Sequence, residues 1–373
     1  MIKILFTGGG TAGHIFPIVA IIREIKKIYP NKDIKFFYIG PKDPFVKNIL
    51  VEEGVEVKTI LAGKLRRYFS PLNIVDILFK FPIGIIQAFF HIFVISPDLI
   101  FSKGGYGSLP VVICGWILLT PIFIHESDVV PGLANKIASK FALEIFTAFP
   151  AEKVQYFSIR RMVCVGNPIR KEILNGSLRE AQTLFKLTGE KPVVLVLGGS
   201  QGSQRINDRI LTVLRDFLEN FELIHQTGAN NFNQVKAEAD TVIGSYLKPY
   251  YHPVAFLNDE ELAHAYKAAD FIISRAGAGS IFEIAAIGKP SILIPLPESA
   301  QNHQLQNAYA FSENGASIVL EEENFLPHFL LETLKNLFSQ PKRIKQMGER
   351  ALEFSKPESA RIIGEYLISY LIQ

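Results

Sequence analysis

Cysteine is scarce in this chain: two in 373 residues, Cys114 and Cys164. Both sit in apolar runs without metal-ligand spacing, so two reduced, buried thiols are expected rather than a disulfide scaffold. Charge of one sign is also lacking. Thirty-nine Lys and Arg stand against 36 Asp and Glu, a net of +3, which does not point to nucleic acid. The opening residues 1–6 run straight into glycines without the long apolar core of a signal peptide. No run of about 18 uncharged apolar residues is evident, so no transmembrane helix is expected. Residues 81–95 come nearest, but that run is shorter and carries Gln87 and His91. No Asp-x-Asp pair occurs, so no bound metal is required. Low-complexity sequence is absent too. Hydrophobic residues at 48% and charged residues at 20% describe a folded chain whose length suits two domains.

The sequence contains an imperfect duplication. Residues 2–6 form an apolar run that meets Gly8-Gly9-Gly10-Thr11-Ala12-Gly13, after which a helical pattern opens at Ile15. Residues 193–197 repeat this, meeting Gly198-Gly199-Ser200-Gln201-Gly202 before a helical pattern through Ile206, Ile210 and Leu214. Strand, glycine turn and helix is how a parallel α/β domain begins. Further strands are expected at 34–39, 55–60, 99–102, 122–124 and 144–147. The second half adds 222–226, 254–256, 271–274, 292–294 and 317–320. Helices are expected at 44–53, 74–95, 109–118, 133–140, 260–268 and 358–372. Gly166-Asn167-Pro168 reads as the junction. The expected domains are 1–165 and 166–355, with 356–373 a helix returning to the first. Ligands bind at the carboxyl ends of parallel strands, so both glycine turns are expected to open on one cleft.

Glycines let the backbone approach an anion, and the following helix offers free N–H groups. The first turn ends in His14. It matches neither the P-loop nor the standard dinucleotide pattern, and a tight turn alone would also explain it. In the second, the Ser200 hydroxyl could donate to a phosphate oxygen. The run from Ser274 through Arg275, Gly277 and Gly279 to Glu283 follows a strand and opens a helix. A carboxylate there can accept two hydrogen bonds from vicinal hydroxyls, or simply complement the helix dipole. Lys103-Gly104-Gly105-Tyr106 and His125-Glu126-Ser127-Asp128 each follow a strand.

These segments together resemble the MurG family, GT-B glycosyltransferases similar to family 28. The resemblance rests on residues 7–14, 63–67 (Gly-Lys-Leu-Arg-Arg), 104–106, His125-Glu126 with Pro131-Gly132, 166–170, 198–202, and 275–283 with Gln304, in the family's order. It implies two Rossmann-like domains facing across a cleft. It also implies transfer of N-acetylglucosamine from UDP-N-acetylglucosamine to undecaprenyl-pyrophosphoryl-N-acetylmuramoyl-pentapeptide, with inversion and without a cofactor. Ser200 and Arg170 would contact the donor diphosphate, and Leu257 the uracil. Ala278, Gly279, Ser280, Ile281, Phe282 and Glu283 would wrap the nucleotide, with Glu283 on the ribose. Gln304, Thr11, Ala12, Gly13 and Asp128 would lie near the transferred sugar. Gly9, Gly10, Lys64, Arg67, Gly104, Gly105 and Tyr106 would receive the acceptor. Two positions depart from the family: Asp128 where many relatives carry Asn, and Ala12 where glycine is common.

His14 is the candidate general base, with Asp128 and Glu126 as rivals. A lipid-linked acceptor implies a peripheral position on the cytoplasmic face of the membrane. Basic Lys64, Arg66, Arg67 and Lys80 flank the apolar residues 72–95, which would suit an anionic surface or make an ordinary buried helix. Cell-wall synthesis and division proteins are candidate partners. Rival readings are a glycolipid synthase acting on diacylglycerol, a UDP-sugar epimerase, and a non-catalytic nucleotide-sugar-binding subunit.

Overall fold

The computed structural model describes residues 1–9, 12–63, 76–199 and 202–372, the side chains of Ala12 and Ile77 excepted. The chain divides into two units. The first is Met1–Ile169 with Pro357–Gln373, and the second is Arg170–Lys356.

The first unit is built on seven parallel strands: β1 (Ile2–Thr7), β2 (Ile34–Pro41), β3 (Glu56–Ile60), β4 (Leu99–Ser102), β5 (Ile122–Glu126), β6 (Glu144–Thr147) and β7 (Met162–Cys164). Their order is β3-β2-β1-β4-β5-β6-β7. The second unit has β8 (Val193–Leu197), β9 (Glu222–Gln226), β10 (Tyr251–Val254), β11 (Phe271–Ser274), β12 (Ser291–Leu293) and β13 (Ser317–Val319), ordered β10-β9-β8-β11-β12-β13. In each sheet the strand order reverses beside the first strand, between β1 and β4 and between β8 and β11. Such reversals leave a crevice at the strand carboxyl ends. Central strands such as β8 are buried along their whole length, because helices cover both faces of a parallel sheet.

The C-terminal helix Ser359–Ile372 packs on helix Ala12–Ile28 of the first unit. Ile363, Leu367 and Ile368 are fully buried there. Gly364 permits the approach, since a Cβ would stand 2.9 Å from Ile25 Cγ1.

Three sequence expectations need correction. Cys164 is exposed, because β7 is a three-residue edge strand; only Cys114 is buried. The strand expected at 254–256 is β10, which starts at Tyr251 opposite Leu223. It ends before Phe256, which is 50% exposed, because Asn258 caps the helix Asp259–Ala268 that follows. The third concerns length. A π-helical turn, Asp76–Lys80, runs directly into helix Phe81–Ile95. Leu78–Ile95 is therefore an 18-residue helical run of mean hydropathy 1.9, long and apolar enough to cross a membrane by length and composition. Gly84, Ala88, Ile92 and Ile95 face inward. Gln87 turns to β3, where its Oε1 accepts the Leu61 N–H at 2.7 Å. Phe79, Ile86, Phe90, Phe93 and Val94 are all more than half exposed.

Candidate functional site

In the first unit the β1 and β4 turns meet at the strand-order reversal. Gly104 and Gly105 both have left-handed backbones, φ +82 and +85. A Cβ on Gly105 would stand 2.7 Å from Gly9 Cα and 3.1 Å from His14 Nε2. Only glycine allows that approach. His14 therefore lies against both turns, half-buried in the first turn of helix Ala12–Ile28. Burial, with the Lys103 ammonium nearby, pulls its imidazole down to about 3. His14 is thus neutral at physiological pH.

Glu126 ends β5, and its carboxylate organises the turn beyond. Oε1 accepts the Asp128 N–H at 3.0 Å. Oε2 accepts the Gly132 N–H at 3.2 Å and Asn135 Nδ2 at 2.9 Å. Burial and the neighbouring Asp128 raise the carboxyl above its usual range. Lys103, at the end of β4, is 3% exposed and donates to the Ser127 hydroxyl. That hydroxyl donates in turn to Asn167 Oδ1 at 2.8 Å. Asp128 and Tyr106 are half-buried in the same group of turns.

In the second unit Gly199 and Gly202 bracket the turn after β8 with φ of +87 and +75. A Cβ on Gly202 would meet the Thr227 carbonyl oxygen at 2.3 Å. Helix Gln204–Thr212 follows without a side-chain cap, because the Ser203 hydroxyl is taken by Arg275 Nη2 at 2.6 Å. Arg275 also pairs with Glu322. Glu322 in turn accepts from Arg205 at 2.8 Å.

Helix Ala278–Ile287 starts after Gly277, again without a side-chain cap. Around Gly277 and Gly279 the space a Cβ would fill is open. The helices that follow the adjacent strands β8 and β11 thus both start without a side-chain cap, which leaves their first N–H groups able to meet an oxyanion. One turn on, Glu283 is held from two sides. Its Oε1 accepts Arg170 Nε at 3.2 Å and Nη2 at 2.8 Å. Its Oε2 accepts the Tyr266 hydroxyl at 3.1 Å. Arg170 Nη1 reaches Asp259 at 2.6 Å. Ala278, Ile281 and Phe282 are buried, Ser280 is half-buried and Gly279 is exposed. Leu257 is buried just before the capping residue Asn258. Gln304 Oε1 accepts the Leu296 N–H at 3.0 Å, closing the loop after β12.

Gly10, Thr11, Lys64, Arg66, Arg67 and Ser200 lie outside the described residues, as does Leu72. The remaining expected residues divide into two groups. Gly9, Ala12, Gly13, His14, Gly104, Gly105, Tyr106, Glu126 and Asp128 belong to the first unit. Arg170, Leu257, Ala278 to Glu283 and Gln304 belong to the second. Sequence reasoning omitted Tyr266, and it named Lys103 in a candidate turn without giving it a role. Tyr266 gave no signal, being one more apolar position of a helix. Lys103 was marked as a cation between an apolar strand and two glycines. Among the described residues no cluster of three or more His, Cys, Asp or Glu side chains could hold a metal ion.

Comparison with known proteins places this geometry in a family. Residues 4–147 match the glycosyltransferase family 28 N-terminal domain, and residues 193–362 match the family 28 C-terminal domain. A Clostridium kluyveri protein is 37% identical over 98% of this chain and 100% of its own length. A Clostridium botulinum protein is 39% identical over 98% of this chain and 99% of its own. Both are named UDP-N-acetylglucosamine–N-acetylmuramyl-(pentapeptide) pyrophosphoryl-undecaprenol N-acetylglucosamine transferase. Among solved structures, Acinetobacter baumannii MurG superposes with a TM-score of 0.75 at 22% identity, covering 99% of this chain and 100% of that one. A Neisseria meningitidis UDP-GlcNAc 2-epimerase gives 0.69 at 13%, covering 99% and 100%. At those identities the two structures speak for a shared fold only. The family matches and the full-length relatives decide the rest: the chain belongs to glycosyltransferase family 28.

Proposed function

We propose that this protein transfers N-acetylglucosamine from UDP-N-acetylglucosamine to the 4-hydroxyl of the muramoyl sugar in undecaprenyl-pyrophosphoryl-N-acetylmuramoyl-pentapeptide, inverting the anomeric carbon. The observation that carries this reading is full-length identity of 37–39% to relatives named for that reaction. The epimerase alternative has only the fold in its favour.

In this reading the second unit holds the donor. The uncapped N–H groups of helices Gln204–Thr212 and Ala278–Ile287 supply positive potential where the diphosphate leaves. Arg170 and Ser200 add to it, and Glu283 takes the ribose. Leu257 meets the uracil, with Gln304 beside the transferred sugar. The paired glycine turns of the first unit, with Tyr106, receive the acceptor's pyrophosphate, and Lys64 and Arg67 are assigned to the same substrate. Thr11, Ala12, Gly13 and Asp128 lie near the sugar.

His14 accepts the proton of the attacking hydroxyl. Its low basicity is compatible with this when proton loss is concerted with C–O bond formation, since the hydroxyl becomes more acidic as it attacks. Glu126 is already committed to three N–H donors, which favours a structural role over that of base. The exposed apolar face of Leu78–Ile95, bordered by Lys80, rests on an anionic membrane surface, cytoplasmic side, where the lipid-linked acceptor lies.

Radiolabel transfer from UDP-N-acetylglucosamine to the purified lipid-linked muramoyl-pentapeptide tests the reading. The product must be β-linked and must require both substrates. Transfer to diacylglycerol, or release of an epimerised sugar nucleotide instead, would overturn it. In the same assay His14→Ala is expected to lower kcat by about 10²–10⁴-fold, the usual worth of a general base.

A further inference from the structure

The buried cation of the first unit has no part in the reaction as described so far. Lys103 directly follows β4 at the strand-order reversal, stands just before the two left-handed glycines, and is 3% exposed. Its main-chain N–H is tied to Thr7 at the end of β1, so its stem is fixed between the β1 and β4 turns. The side chain has one hydrogen-bond partner among the described residues, the Ser127 hydroxyl. Ser127 donates its own hydroxyl to Asn167 Oδ1. The direction of that chain is therefore set: lysine to serine to asparagine.

The charges around the ammonium come from three elements. His14 approaches from helix Ala12–Ile28, and His125 and Glu126 from β5. Asp128 comes from the turn after β5. The Glu126 carboxylate is already used by main-chain and amide N–H groups. A buried ammonium with a single neutral partner is costly unless nearby charge or function holds it.

We propose that Lys103 is a positioning residue for sugar transfer. Its ammonium, pinned by Ser127 and Asn167, links the 126–128 segment and its negative charges to the end of β1 that leads to His14. It acts through those groups rather than by touching substrate. The proposal rests on the transferase reading above and gives a role to a residue that reading leaves without one.

Two consequences have opposite signs in pH. The ammonium disfavours a second positive charge on His14 and favours the ionised form of Glu126. Removing it lets both groups protonate at higher pH, so the acidic limb of the rate profile moves up. On the alkaline side, burial brings the Lys103 ammonium itself down to about 8. It is charged below that value and neutral above, so the unmodified enzyme loses activity as pH rises through it.

The test is kcat and KM for both substrates across pH in the full-length protein, for Lys103→Met and Lys103→Arg, with thermal melts alongside. In Lys103→Met, kcat falls by about tenfold or more and KM for UDP-N-acetylglucosamine is unchanged. The acidic limb moves up and the alkaline limb near 8 disappears. Lys103→Arg restores most of kcat and moves the alkaline limb upward, because a guanidinium stays charged. A Lys103→Met profile with both limbs in place, altered only in melting temperature, overturns the proposal. Should that variant fail to fold, Lys103→Arg decides alone: an alkaline limb still near 8 overturns it. Absence of transfer by the unmodified protein strikes the transferase reading itself, and the proposal falls with it; limbs common to all the proteins strike only Lys103.

Discussion

Glu283 shows how much of a site depends on hydrogen-bond capacity. A carboxylate oxygen has two lone-pair positions. Those on Oε1 are filled by Arg170 Nε and Nη2, and Oε2 retains one beside the Tyr266 hydroxyl. A ribose diol can therefore use Oε2 at once but reaches Oε1 only if the Arg170 fork moves. Arg170 is the residue proposed for the donor diphosphate, so both proposed contacts call for the same side-chain movement. Tyr266, fully buried on helix Asp259–Ala268, stays behind as the support that keeps Glu283 oriented. Tyr266→Phe deletes one hydrogen bond to a charged group, worth about 1.5–3 kcal/mol. Its expected effect is a rise of about ten- to a hundredfold in KM or Kd for the UDP-sugar. The lipid-linked acceptor's KM should stay put, and titration calorimetry with UDP checks the donor side directly. The position of Glu283 was readable from the sequence, as a carboxylate one turn into a helix after a glycine run. Tyr266 was not. Its role depends on the register at which two helices pack, which no local pattern encodes.

Strands and helices were legible to different degrees for a simple reason. Central parallel strands are buried on both faces and appear as short uninterrupted apolar runs. β4, β6, β8, β9 and β11 accordingly have the bounds expected of them. β7 has three residues at a sheet edge and exposes Cys164, too little burial to mark a sequence. Helices Leu178–Phe185, Phe232–Val242, Pro327–Phe338 and Pro341–Phe354 also went unassigned. They are amphipathic surface helices, and for the last two a proline at the first position was the available signal. Helix Phe81–Ile95 is the informative case, because its two polar residues suggested interruption. Gln87 instead satisfies a main-chain N–H at the end of β3, which leaves the opposite face uniformly apolar. At about 1.5–3 kcal/mol for each large side chain removed from water, two phenylalanines decide whether such a face holds to a bilayer. Phe90→Glu with Phe93→Glu is expected to abolish flotation with anionic vesicles at low salt while leaving UDP binding intact. Undiminished flotation would remove this helix as the contact.

At the scale of the whole molecule, the chain leaves its first unit at Ile169 and returns to it at Pro357. The duplicated strand–glycine–helix pattern made two α/β domains legible. The physical bond of the return lies in packing. Ser359 donates to the Gly166 carbonyl at 3.0 Å. Tyr370 packs edge-on to Phe123 with ring centroids 5.1 Å apart, and Tyr366 does the same to Phe146 at 5.3 Å. Residues 359–372 therefore complete the core of a unit whose first strand was made more than three hundred residues earlier, so that unit cannot finish folding until they have been made. Gly364 is the point of closest approach. Gly364→Leu would drive a branched side chain into Ile25, and overpacking of this kind costs about 1–3 kcal/mol. Hydrogen exchange locates the loss. Amides of β1, β4 and β5 should lose protection, whereas those of β8, β9 and β11, in the unit that helix Ser359–Ile372 does not join, should keep theirs. Equal loss in both sets would mean that the two units unfold as one, and that the C-terminal helix stabilises more than the core it enters.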